Sequence, residues 1–290
     1  MDLLLQFLVN GVVIGVFYAL SALGLTLIFG LMRVVNFAHG EFYMLGGILG
    51  WFVTTRLGLD FFSGLAIVAV VMAAFGWVID RLLIERVRHQ GEEAGILLTI
   101  GLSIVIANVA LLVVGTAPHK VVGPVSDAPV LLGPVVLTRV RLVALAIAAL
   151  LVAAAHGLIH RTTLGRAMRA TFQDPMAARL AGIRTERIYA STFALGTTIA
   201  ALSGMLLASI YSAQVSIGGT VSLKAFVVVI LGGMGSFAGA IVGGLVLGIV
   251  EAMWGGYLST NLVDLVGFVL VIALLLFRPY GLFSLRAERA

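Results

Sequence analysis

Cysteine is absent from all 290 residues, which removes disulfides, thiol nucleophiles and thiolate metal sites. Charge is scarce too: 11% of residues are Asp, Glu, Lys or Arg, against about 25% in an ordinary soluble domain. There is no Gly-x-x-x-x-Gly-Lys-Ser/Thr phosphate loop and no serine, histidine and acid gathered at a recognisable nucleophile elbow. The five histidines are read as too dispersed to ligate a metal. Catalysis is therefore hard to build, and no cofactor is expected on this chain; if ATP powers it, another chain binds the nucleotide.

What remains is oil. The composition is 61% hydrophobic with six prolines, and the mean hydropathy is +1.16, so the chain reads as an all-α integral membrane protein, one permease-like domain over residues 1–290 with the lipid bilayer as its solvent. A bilayer core needs about 20 apolar residues per helix. Eight stretches meet or approach that length: residues 5–31, 42–55, 61–80, 94–115, 141–159, 188–211, 224–254 and 259–277. The first begins after Asp2 rather than a basic segment, so it is read as a retained helix and not a signal peptide.

The excess of 18 Lys and Arg over 13 Asp and Glu fits membrane topology better than nucleic-acid binding, because bases collect on cytoplasmic loops. Connector 80–93 carries Arg81, Arg86 and Arg88, and connector 160–187 carries Arg161, Arg166, Arg169, Arg179, Arg184 and Arg187; both are expected in the cytoplasm. Residues 116–140, with Pro118, Gly123, Pro124 and Pro129, read as an extracytoplasmic loop containing short extended pieces. Counting back places the N-terminus outside. Counting forward through three simple helices leaves Arg278, Arg286 and Arg289 outside as well, against the same rule. A broken, re-entrant 224–254 segment would remove the conflict, and Gly232-Gly-Met-Gly-Ser236 marks its expected break, since clustered glycine is costly inside a helix.

A second interruption, Asn36-Phe-Ala-His-Gly-Glu41, precedes another glycine-rich helix. Paired interruptions point to a transporter with a possible internal repeat. His39, Gly40 and Glu41 are candidates for the substrate pathway, because an ionisable group at membrane depth is functional by default; the other reading is a solvated turn at the membrane edge. Asn36 suits a helix cap. Gly232, Gly233, Gly235 and Ser236 could turn backbone amides toward a carboxylate, whereas Gly235, Gly239 and Gly243 also suit close helix packing. Glu251 and Asp264 could line the path or pair with a base.

The most distinctive stretch is the polar insert Gly165 to Gly182. Asp174 is an N-cap, Pro175 a first helical residue and Gly182 a left-handed stop, so 175–181 reads as a two-turn helix. Isolated helices of fewer than about 12 residues are not stable in water, so this one is expected to dock. Met176 and Leu180, i and i+4, form with Ala177 and Ala181 a small greasy face for a protein groove or, alternatively, for lipid.

Asn36-Phe-Ala-His-Gly-Glu-Phe-Tyr-Met-Leu-Gly46, the Gly165–Gly182 insert, Leu231-Gly-Gly-Met-Gly-Ser236 and Arg278-Pro-Tyr-Gly-Leu282 together resemble the LivH-type permeases of bacterial branched-chain amino acid ABC importers. The resemblance implies a multi-pass inner-membrane subunit paired with a LivM-type permease, two cytoplasmic ATPases that hold ATP and Mg, and a periplasmic binding protein that delivers the amino acid. It also implies ATPase contact by the insert: Arg166, Arg169, Asp174, Pro175, Met176, Ala177, Ala178, Leu180, Ala181 and Gly182. The same family includes permeases for urea and short amides, and an ion-driven carrier using Glu41, Glu251 or Asp264 is the alternative from another class.

Overall fold

The computed structural model describes residues 2–32, 34–88, 90–258, 262–278 and 281–283. Helix α1 (Asp2–Met32) is followed by an irregular stretch and then α2 (His39–Trp51), which continues as a π turn over Phe52–Arg56. Next come α3 (Phe61–Ile79), a second π turn at Asp80–Ile84, α4 (Glu85–Val87) and α5 (Glu92–Val114). A hairpin of β1 (Pro129–Leu132) and β2 (Val135–Thr138) leads to α6 (Arg139–Arg161), and α7 (Thr163–Gln173) and α8 (Pro175–Leu180) form the polar insert. The chain closes with α9 (Thr185–Ile210), α10 (Ile217–Gly232), α11 (Phe237–Tyr257) and α12 (Val263–Phe277).

Among the described residues six helices are long and apolar enough to cross a membrane, and α10 and α12 are shorter apolar ones. That makes a polytopic bundle of about eight spans, with α2 as a further, shorter helix inside it. The centre is α1, flanked by α9 and α11. Backbones touch where glycines face each other: a methyl built on Gly15 would lie 2.8 Å from Leu245 Cα. Without water to expel, small residues let helices gain their packing energy by close approach. Helix α5 lies at the periphery, with Leu112 86% exposed, as an apolar surface must where the surroundings are lipid.

Two ends of the bundle can be told apart by what meets there. At one end Arg88 bonds both Asp80 (2.7 Å) and Glu186 (2.6 Å), joining the two arginine-rich connectors; this is the cytoplasmic end. At the other, Gln6 exchanges hydrogen bonds with Val136 of the hairpin, and His119 pairs with Ala213. The N-terminal end of α1 is therefore outside.

The 224–254 expectation needs correction. These residues are not one broken re-entrant span but parts of two antiparallel helices, α10 and α11, joined by a turn at 233–236. The extra crossing brings the C-terminal end inside: Leu282 and Phe283 donate to the carbonyls of Leu231 and Gly232 at 2.9 and 3.0 Å. The topological conflict at Arg278 disappears, while Arg286 and Arg289 lie outside the described residues.

Two further readings change. Residues 163–173 are helical, capped by Thr162 through Gly165 N–H, where the sequence reading had loop. His156 and His160 stand one turn apart on α6 with ring centroids 4.3 Å apart, so the histidines are less dispersed than they were read to be. Among the described residues no third ligand joins them.

Candidate functional site

The first break lies deep in the bundle. His39 Nε2 bonds the Ser21 carbonyl at 2.9 Å. Ser21 is 11 residues before the end of α1 (32 − 21 = 11), about 16 Å along its axis at 1.5 Å per residue. The chain thus leaves α1 at the cytoplasmic end, climbs back without helical bonds over residues 34–38, and starts α2 inside the protein. Irregular backbone survives at such depth only if its polar groups are satisfied by protein.

Hydroxyls do this from two other helices. Thr99 of α5 donates to the Val35 carbonyl at 3.0 Å. Ser222 of α10 accepts from Gly40 N–H at 2.7 Å and donates to the Phe37 carbonyl at 3.2 Å. Asn36 Oδ1 accepts from Ala38 N–H at 3.1 Å, a local turn before the helix. Asn36 and His39 are fully buried and Glu41 is 4% exposed, so the solvated-turn alternative for His39 and Glu41 does not describe their surroundings. Ser103 of α5 donates to Glu41 Oε1 at 3.2 Å. Gly40 is needed for packing as well, since a methyl there would lie 2.7 Å from Ser222 N.

The second break is a different object. Gly233 and Gly235 adopt φ of +97° and +83°, and Ser236 caps α11 through Gly239 N–H at 3.0 Å. A methyl built on Gly235 would sit 3.6 Å from Gly30 Cα, near Phe172 of α7. Gly232, Gly233, Gly235 and Ser236 therefore form a tight turn at the cytoplasmic end, beside a cavity of about 490 Å³ lined in part by Phe29, Val35, Ile96 and Phe172.

Glu251 is paired. Lys224 Nζ reaches both its carboxylate oxygens (3.1 and 2.9 Å), Tyr18 OH donates to Oε2 at 2.7 Å, and Lys224 also meets Asp264 at 3.0 Å. This knot ties α1, α10, α11 and α12. The sequence reading named the two acids and missed Lys224 and Tyr18; a lone lysine in the apolar run of α10 was the available signal.

On the insert, Asp174 Oδ1 accepts from Met176 and Ala177 N–H at 2.8 and 3.0 Å, Pro175 occupies the first turn, and Gly182 has φ +83°. Met176, Ala177, Leu180 and Ala181 are exposed; Ala178 is buried and so faces the bundle rather than a partner. Arg179 donates to Thr185 (2.7 Å) and Glu186 (2.6 Å), anchoring α8 to α9. Arg169 folds back on the Ile159 carbonyl, and Arg166 is exposed. An amphipathic two-helix handle results, held at its base and bare at its tip.

A family model described as branched-chain amino acid transport system / permease component matches residues 7–275. The high-affinity branched-chain amino acid transport system permease protein LivH of Escherichia coli K12 is 35% identical, over 96% of this chain and 94% of its own. BraD of Pseudomonas aeruginosa, described likewise, is 34% identical over 96% and 95%. The ribose import permease RbsC of Bacillus subtilis is 32% identical over 42% of this chain and 40% of its own. No solved structure matches.

Proposed function

Since the chain belongs to the permease component family of branched-chain amino acid transport systems, we propose that it forms half of the inner-membrane channel of an ABC importer for leucine, isoleucine or valine, paired with a LivM-type permease. Two cytoplasmic ATPases bind and hydrolyse ATP with Mg, and a periplasmic binding protein delivers the amino acid to the outer end. The observation that carries this reading is the bare tip of α8: Met176 is 68% and Leu180 85% exposed on a helix too short to stand alone.

ATPase closure would push on that tip. The force has a rigid route inward, because Glu186 bonds Arg179 of the handle and also Arg88, which bonds Asp80 at the base of α3. Movement of α8 is thereby transmitted to α9 and α3 together, and alternating access follows as the cytoplasmic ends of the helices shift.

The test is to co-express the permeases with their ATPases and replace Met176 and Leu180 by aspartate. Burying each unpaired charge in a groove costs several kcal/mol, so ATPase co-purification and ATP-driven leucine uptake should both be lost while the permease still accumulates in membranes. Retention of both would overturn the docking role.

A further inference from the structure

Among the described residues Glu41 is a carboxylate without a cation. Among the described residues no Lys, Arg or His bonds it, and Oε2 has no hydrogen-bond partner at all. Buried charge is normally paired, as Glu251 is by Lys224 in this same protein. Two features favour the anion: Glu41 lies in the first turn of α2, where the helix dipole is positive, and Ser103 donates to Oε1.

Space has also been kept for the group. A methyl built on Gly218 of α10 would collide with Oε2 and lie 2.7 Å from Oε1. Beyond Gly218 the protein is thin: Gly219 is exposed with nothing within 4 Å of a methyl built on it, and Ser103 is half-buried. The carboxylate thus sits just beneath the surface, between α5 and the start of α10, at the depth of the first break. His39, two residues earlier and so on the opposite face of α2, instead points into α1.

We propose that Glu41 receives the ammonium group of the transported amino acid, on a path running along the α5–α10 face and closed on its other side by the second permease. This rests on the amino-acid reading above and adds a site to it. The ammonium supplies the missing positive charge, and Ser103 keeps the carboxylate turned toward the path.

The assembled transporter, with its ATPases and binding protein, is reconstituted in proteoliposomes and uptake of labelled L-leucine is followed. Failure of the wild-type complex to take up leucine would remove the functional reading itself. If the wild type works, Glu41→Gln should reduce uptake about tenfold or more in complexes that assemble as the wild type does, the loss of one charge-assisted bond, and Glu41→Asp should recover part of it. Glutamine is the isostere of a protonated acid, so wild-type uptake by Glu41→Gln overturns the proposal. Should Glu41→Gln fail to assemble, Ser103→Lys against Ser103→Met decides: both lose the bond to Glu41 Oε1, but the lysine should also occupy Glu41 and silence uptake while methionine, similar in length but uncharged, retains a measurable part of it. Equal uptake by the two overturns the proposal.

Discussion

Both breaks in this chain pair a glycine with a polar neighbour before a glycine-rich helix, yet they solve different problems. Residues 34–41 expose backbone inside the bundle, and side chains from α5 and α10, distant in sequence, satisfy it. Residues 233–236 reverse the chain at the cytoplasmic end through the local cap of Ser236 and two positive-φ glycines. The break at depth takes side-chain hydroxyls from other helices, whereas the turn at the end is capped by its own Ser236 and takes only backbone N–H groups of Leu282 and Phe283 on the Leu231 and Gly232 carbonyls before it. Their surroundings divide along the same line: the first surrounds a buried carboxylate, and the second lines a cavity together with Phe172 of the handle.

Substitution of the glycines should separate the breaks most widely. Gly40→Ala forces a methyl against the backbone of α10 and is expected to cost about 3 kcal/mol as overpacking. Gly235→Ala meets only ordinary van der Waals contacts but a left-handed backbone, for about 1–2 kcal/mol. Thermal unfolding of the purified permease measures both, and the reverse order would break the distinction.

Removing the serines is the next test. Ser222→Ala strips a partner from both Gly40 N–H and the Phe37 carbonyl, expected to cost about 2–3 kcal/mol at depth, while Ser236→Ala loses one helix cap, about 1 kcal/mol. Equal losses would mean that water reaches the first break. The smallest effect is expected outside both, at Asp60, the N-cap of α3, where the Ser63 hydroxyl and backbone amides hold the carboxyl below its ordinary value. A lowered folded pKa stabilises above the ordinary carboxylate range, and that contribution fades as pH falls through the lowered value. Asp60→Asn should flatten this acid dependence slightly; an unchanged profile would show that the cap does not titrate with folding.

Much of the bundle was legible because hydropathy and length act locally. The spans α1, α3, α5, α6 and α9 follow from apolar runs, and the helix at 175–180 follows from Asp174, Pro175 and Gly182, each a local backbone preference. The misreadings have separate causes. Residues 224–254 were read as one broken, re-entrant segment because clustered glycine does not say whether it marks a kink or a full reversal between two helices. The amphipathic helix at 163–173 was hidden by its polar composition. Lys224 was passed over because its partners, Tyr18 and Glu251, are 206 and 27 residues away.

Composition and periodicity by themselves determined that this chain enters lipid, roughly how often it crosses, which connectors face the cytoplasm and where a short capped handle would form. These are properties of single segments, set by transfer of side chains and by local backbone geometry. Tertiary structure alone decided that the first break lies deep, that the second lies at the end, that Lys224 pairs with Glu251 and that no cation among the described residues meets Glu41. Depth and pairing depend on which distant helix supplies a hydroxyl or a charge, and no single segment contains that information.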